Sequence, residues 1–224
     1  AREAQDAALE CRTVNGLGGV DFMEGRLDDA LARYEQALDL ARSTNDRRMQ
    51  GNLLGNLGNV HAEAGRLDDA VARSEEALEL ARQTGHRVLE ANTLCNLGLM
   101  YVLMDRLVDA DIALRTALVA ARELGHVRLE SLVLCNLGIV LERLERPTEA
   151  QAHFGMALGI ARALGDPRFE GQALGYLGLL HARQAAHDEA RRCLDAGEAL
   201  LRGVSDRYAL GVLLAGRAEA HHLA

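Results

Sequence analysis

Apolar positions along the chain fall at helical spacing in two alternating kinds of segment, and the pair returns every 40 residues. Leu17-Gly18, Leu57-Gly58, Leu97-Gly98, Leu137-Gly138 and Leu177-Gly178 mark the first kind. Ala30, Ala70, Ala110, Ala150 and Ala190 mark the second, followed by Ala37, Ala77, Ala117 and Ala157, with Gly197 in the fifth place. Leu54, Leu94, Leu134, Leu174 and Leu214 form a further register. A period without drift means stacked copies of one supersecondary unit, each burying its apolar face on its neighbours.

Residues 46–85 show the grammar of one copy. Asp46 caps a helix that runs to about Ala64, where Gly65 stops it in a left-handed conformation. Asp68 and Asp69 lie in the first turn of a second helix, where carboxylates complement the dipole. That helix runs to about Gln83 with Arg82 in its last turn, and Gly85 ends it. Asp166-Pro167 repeats the cap with proline at the first helical position, and Pro147 also falls at an expected start. Each copy is predicted as two antiparallel helices of about 16–18 residues. On the first helix, Leu54, Leu57, Gly58 and His61 fall on one side and Asn52, Asn56, Asn59 and Glu63 on the other. The Leu/Gly side is predicted to pack on the second helix. A helical glycine costs about 1 kcal/mol against alanine. Its return at every Leu-Gly pair therefore implies close backbone approach, with Ala70 as the small partner of Gly58.

These elements give an all-α chain of about five repeats, at residues 6–45, 46–85, 86–125, 126–165 and 166–205, with a partial terminal helix over 206–224. The whole, 1–224, reads as a single domain. Ala1-Arg2-Glu3 matches Ala41-Arg42, Ala81-Arg82 and Ala121-Arg122-Glu123, which close second helices. The chain is thus expected to start and stop inside units, as a fragment of a longer protein. Arg217 replaces the expected leucine, so the last helix reads alternatively as a polar cap.

Composition narrows the chemistry. Aromatics are 3% and tryptophan is absent, so the core is expected from Leu, Ala, Val and Gly. All 25 basic residues are arginine, as in a GC-rich bacterial genome, and the formal net charge is −8, which argues against nucleic acid. Apolar runs fall short of the roughly 18 residues a membrane span needs. Cys11, Cys95, Cys135 and Cys193 form no CxxC pair and read as unpaired thiols in a reducing cytoplasm. His86 and His126 share one loop place, His61 and His181 lie on the packing side, and His221-His222 lie near the end. No H-x3-H pair is joined by a carboxylate on one helix face, so no metal and no cofactor is expected. No G-x-S-x-G, P-loop or GxGxxG occurs, and "GLGG" at 16–19 falls mid-helix by register, so no catalytic residues are expected and the chain is not predicted to be an enzyme.

Leu54, Leu57-Gly58, Ala70 and Ala77, with a large residue between the last two, resemble the tetratricopeptide pattern. Tyr34, Leu114, Phe154 and Leu194 fill the large place; Ser74 departs from it. Leucine stands for the pattern's tryptophan, and its first-helix tyrosine place holds Asp21, His61, Tyr101, Leu141 and His181. The 40-residue length, with residues 55–71 and 96–110, is similar to Pins-type spindle-orientation adaptors and to repeats of bacterial multidomain regulators.

The resemblance implies a right-handed α-solenoid whose concave groove is lined by the asparagine face. Asn56, Asn96 and Asn136 would then meet the main chain or carboxylate of an extended peptide; alternatively they bond the adjacent repeat or water. Around them the early part of the groove is polar, with Asn52, Asn59, Asn92 and Glu63. The later part is apolar, with Leu99, Leu103, Leu132, Ile139 and Leu179, and Tyr176 is assigned to the same face. Arg143 and Arg183 share one column and suit an acidic or C-terminal carboxylate ligand; alternatively the leucines pack between repeats and the arginines are solvated. The lysine-containing carboxylate clamp of chaperone-binding members is not reproduced. The function expected is a non-enzymatic scaffold binding a peptide or helix segment of a protein partner, within a larger regulatory protein. Rival readings are a small-ligand-sensing domain of a bacterial transcription regulator and self-assembly through the end helices. A convex face carrying Val119 and Met156 is the alternative docking side.

Overall fold

A computed structural model describes residues 2–204 and 207–222. Among the described residues there are eleven helices and no strand: α1 Arg2–Met23, α2 Leu27–Ser43, α3 Arg47–Glu63, α4 Leu67–Gln83, α5 Arg87–Leu103, α6 Leu107–Glu123, α7 Val127–Arg143, α8 Pro147–Leu164, α9 Pro167–Arg183, α10 His187–Gly203 and α11 Arg207–His222. They form two compact units, one up to Ala120 and one from Ala121 onward. In the first, α1/α2 and α3/α4 are hairpins, with α2 packed on α3 and α4 on α5. In the second, α7/α8 and α9/α10 are hairpins, α8 packs on α9, and α11 packs on both α9 and α10.

The turns follow from local backbone chemistry. Gly65 takes φ 73°; its N–H donates to Ala62 O at 3.0 Å and the Arg66 N–H donates to His61 O at 2.9 Å. Two carbonyls left over at the helix end are thereby satisfied in the Schellman pattern. Gly25, Gly85, Gly125 and Gly165 are also left-handed. At Asn45, Asp105, Glu145 and Ala185 the same bend is made by residues with a Cβ, at φ between 53° and 60°. Asp46 caps α3 by accepting from Met49 N at 3.0 Å. Asp166 caps α9, and His126 caps α7 by accepting from Leu129 N at 3.2 Å. Pro147 and Pro167 stand at the first positions of α8 and α9.

The hairpins are clasped at two places along their length. Near the turn, glycine meets the second-helix backbone: a Cβ on Gly58 would lie 3.1 Å from Ala70 O, and one on Gly178 3.2 Å from Ala190 O. The large residue of the second helix then lies over the glycine, as Tyr34 over Gly18, Leu114 over Gly98, Phe154 over Gly138 and Leu194 over Gly178. Two turns away, a second small place faces the second alanine register. Cys11 Sγ donates to Ala37 O at 3.3 Å, and Ser131 Oγ donates to Ala157 O at 3.2 Å. A Cβ on Gly171 would lie 3.1 Å from Gly197 O. Where Ser74 stands in the large place, Met100 of the next first helix is buried beside it, and Ser74 Oγ donates to its sulfur at 3.7 Å.

Two expectations change. The packing side assigned to α3 is too narrow: Leu53 and Val60 lie outside it and are fully buried. α3 is covered by its own second helix, α4, and also by α2 of the hairpin before it. Secondly, the register of residues 1–3 predicts the close of a separate second helix, yet α1 runs unbroken from Arg2 to Met23. Gln5 occupies the place of Asn45, Gly85, Gly125 and Gly165, and glutamine favours continuing a helix over a left-handed stop. At the other end, Arg217 in the leucine register pairs with Glu198 and Asp195 of α10. Glu198 itself stands one period after Leu158. An apolar contact between repeats is thus replaced by a paired charge. All four cysteines are free thiols.

Candidate functional site

In the first unit the asparagines of the predicted face join successive first helices. Asn56 Nδ2 donates to Asn15 Oδ1 of α1 at 3.0 Å, and Asn96 Nδ2 donates to Asn59 Oδ1 of α3 at 2.8 Å. All four side chains are half-buried. Each bridge uses one N–H and one carbonyl lone pair of amides that carry two of each. Asn92 is exposed and donates to Val88 O at 2.8 Å; Asn52 is half-buried.

On α5, Asn92, Asn96, Leu99 and Leu103 follow one another at helical spacing and share a stripe. Asn96 is tied into a bridge, while Leu99 and Leu103 are 42% and 61% exposed. The equivalent stripe on α3 is Asn52, Asn56, Asn59 and the exposed Glu63. Amides with donors and acceptors to spare beside two uncovered leucines can hold an extended chain by its peptide groups and anchor its apolar side chains.

In the second unit the corresponding places sit deeper. Asn136 is buried, and Leu132, Ile139 and Leu179 are half-buried. Tyr176 turns inward, its ring stacked on Phe154 with centroids 5.5 Å apart and planes 15° apart. Leu179 faces α11, where a Cβ on Gly216 would lie 3.7 Å from it. Arg143 and Arg183 are exposed. Arg183 pairs with Glu142 of α7 at 2.8 Å, so its charge is already opposed. This half of the predicted face is more structural than the first.

The histidines divide by surroundings. Arg66 Nε donates to His61 Nδ1 at 3.2 Å. Burial, and then Arg66, lowers the His61 pKa and favours the neutral ring. His86 precedes α5 without capping it, and burial and Arg48 lower its pKa too. The side chains of His221 and His222 lie outside the described residues. Among the described residues no three His, Cys, Asp or Glu groups gather as a metal site, and no helix is long and apolar enough to cross a membrane.

Sequence reasoning missed a device at the hairpin turns. Arginine enters the second helices at Arg26, Arg66, Arg106 and Arg146, and three of these lie over the residue five places earlier. Arg26 pairs with buried Asp21, Arg66 bonds His61, and Arg106 stacks 4.4 Å above the Tyr101 ring. At the fourth turn Leu141 offers no polar atom, and Arg146 bonds Glu149. Also missed was a pocket of about 250 Å³ on the second-helix side of the first unit, lined by α4, α5 and α6. Its signal was present in Ile112, which stands where the other second helices carry Ala32, Ala72, Ala152 and Arg192.

A family model described as tetratricopeptide repeat matches residues 9–83, 49–123 and 129–203. No protein of curated function matches the sequence. Among solved structures, BtubC (BKLC) from P. vanneervenii is similar at a TM-score of 0.74 and 21% identity, over 92% of this chain and 91% of that one. A Rap protein complexed with Competence and Sporulation Factor is similar at a TM-score of 0.82 and 17% identity, over 92% of this chain and 57% of that one. The Rap conjugation gene regulator of plasmid pLS20, in complex with the Phr* peptide, is similar at 0.77 and 18%, over 93% of this chain and 57% of that one. This chain therefore spans little more than half of either Rap protein, and at these identities the likeness is one of fold. With the repeat model matching most of the sequence and the clasped hairpins as its physical basis, the chain belongs to the tetratricopeptide repeat family.

Proposed function

We propose that the chain is a non-enzymatic interaction scaffold that binds a peptide or helix segment of a protein partner along its first helices. The carrying observation is the α5 stripe, where Asn92 and Asn96 run into the uncovered Leu99 and Leu103. Packing accounts for the asparagine bridges but not for two leucines left in water on a first helix. The Rap proteins solved with Competence and Sporulation Factor and with the Phr* peptide have the same fold, which supports a peptide as ligand. We assign the ligand first to Asn52, Asn56, Asn59, Asn92, Asn96 and Leu99, with Asn136, Ile139, Arg143, Tyr176, Leu179 and Arg183 extending the face.

The test is affinity capture from a lysate of the source organism with wild type, Asn92→Ala/Leu99→Asp and Asn56→Ala/Asn96→Ala/Asn136→Ala. The first variant changes exposed side chains and is expected to melt like wild type. The second breaks bridges and is expected to lose about 1 kcal/mol per bond. A protein retained by wild type and lost by Asn92→Ala/Leu99→Asp supports the reading. Equal retention by all three sinks it.

A further inference from the structure

The outward face of α6 differs from those of the other second helices. Val108, Ile112 and Val119 are 67%, 60% and 56% exposed and lie on one stripe. In the two preceding second helices, the first and last of these places hold Asp28 and Asp39 on α2, and Asp68 and Glu79 on α4. In the two that follow they hold Thr148 and Gly159 on α8, and Asp188 and Ala199 on α10. Large apolar side chains at both places are confined to α6, where they are left in water, which a lone structural helix does not require.

The pocket adjoins this stripe. Its lining joins the buried Leu78, Leu94 and Leu97 to the exposed Ile112, with Glu75 and Asp109 among its polar groups. At about 250 Å³ it lies below the usual range of small-molecule sites, roughly 300–1,000 Å³, and is matched instead to a single large side chain. The arginine in the lining, Arg82, pairs with Glu90 at 3.3 Å, and nearby Arg106 pairs with Asp109 at 2.8 Å. Glu75 accepts from Tyr101 Oη at 3.2 Å, and Arg106, already paired with Asp109, stands near enough to act on it. The site is thus an apolar socket beside an acidic carboxylate. One helix stripe is far smaller than the roughly 800 Å² per partner of a stable interface, which disfavours a second copy of the chain as occupant.

We propose that the α4–α6 cleft docks a short peptide segment of a partner in which a large apolar side chain stands next to an arginine or lysine. The apolar side chain enters against Leu78, Leu94 and Leu97, the chain runs along Val108 and Ile112, and the cation meets Glu75. This site is separate from the asparagine face and does not depend on it.

The probes are labelled short peptides with a central leucine or phenylalanine flanked by arginine, serine or aspartate, titrated into the whole chain and its variants by fluorescence anisotropy. The arginine-flanked peptide is expected to bind at least about tenfold more tightly than the serine-flanked one, and less tightly as salt is raised. Ile112→Asp, at an exposed position that leaves melting unchanged, is expected to abolish binding. Glu75→Gln is expected to reduce the arginine-flanked peptide to the serine-flanked level. Absence of binding by the arginine-flanked peptide, equal binding of all three, or full binding by Ile112→Asp overturns the proposal. Loss of binding in Leu99→Asp with retention in Ile112→Asp also overturns it, by moving the peptide to the other face. A doubled mass in sedimentation that Ile112→Asp removes overturns it by assigning the stripe to a second copy.

Discussion

The hairpins α3/α4 and α7/α8 solve one packing problem with side chains at opposite ends of the size scale. In α7/α8, Phe154 is fully buried, and its ring occupies the space a Cβ on Gly138 would need. In α3/α4 the same place holds Ser74, and Met100 of the following first helix is buried against it. Its equivalents in the other first helices include the shorter Val20, Val60, Val140 and Leu180. The backbone approach set by glycine is common to the repeats, whereas the volume above it is negotiable if the next hairpin makes up the difference. That is how a repeat fold keeps a strict period while its core changes composition.

The severest way to break the comparison is to attack what the two hairpins share. Ala70 and Ala150 have no exposed surface. Ala70→Glu and Ala150→Glu each bury a carboxylate without a partner and are expected to cost at least about 3 kcal/mol. Circular dichroism melts should show both variants unfolded or nearly so; an unchanged melt for either would defeat the packing account.

Next in size is an exchange of the differing residue. Phe154→Ser imports the Ser74 solution without its compensating methionine and removes the ring stacked on Tyr176. A loss of about 3–5 kcal/mol is expected in urea denaturation. Adding Leu180→Met, at the place equivalent to Met100, should return about 1 kcal/mol. A double variant no more stable than the single one would show that the methionine does not compensate.

Glycine should be favoured at two places in one hairpin for different reasons, so removing it at one and introducing it at the other should shift stability in opposite directions. Gly138→Ala drives a methyl into Phe154 and is expected to destabilise by about 1–3 kcal/mol. Glu145→Gly, at φ 58° in the turn of the same hairpin, should stabilise by about 1 kcal/mol. Equal signs in the two denaturation curves would contradict the assignment of one glycine place to packing and the other to backbone conformation.

The smallest effects concern Asp21 and His61, which hold the same register place in the first two hairpins. The Arg26 hydrogen bond above all holds the Asp21 carboxyl below its ordinary range. Its contribution is complete above that range and is lost as pH falls through the lowered folded value. Burial lowers the His61 imidazole, so the unfolded chain takes up the proton first. Stability then declines as pH falls from the ordinary imidazole range towards the lowered folded value. Asp21→Asn should flatten the stability profile below about pH 4, and His61→Gln the shallow slope just below about pH 6.5. Profiles parallel to wild type would exclude these two groups as its source.

Much of the fold was legible because its constraints fall on residue identity. Gly58 returns as Gly18, Gly98, Gly138 and Gly178 and announces close contact, while Gly65, Asp46, Asp166 and Pro167 announce helix ends where they stand. The second clasp was not seen, because its five places hold Cys11, Gly51, Ala91, Ser131 and Gly171. They share only small volume, and a search for repeated identity passes over them. The double burial of α3 was missed for a different reason: Leu53 and Val60 face the preceding hairpin, and a single helical wheel contains no neighbour. On the candidate face the sequence put Asn56 and Asn96 at one register place, and each bonds an asparagine of the preceding first helix. It could not show the bridges to Asn15 and Asn59, because those depend on how far one first helix is shifted along the next. The pairing of Arg183 with Glu142 and the inward turn of Tyr176 belong to the same class of tertiary detail.

The most direct test of ligand binding along the first helices is site-specific photo-crosslinking. A photoreactive side chain is placed either at Leu99 or at Val119, both exposed and on opposite kinds of helix. Each labelled chain is irradiated with the partner that wild type captures. The account predicts a covalent adduct from position 99 and none from position 119. An adduct from position 119 alone would contradict it.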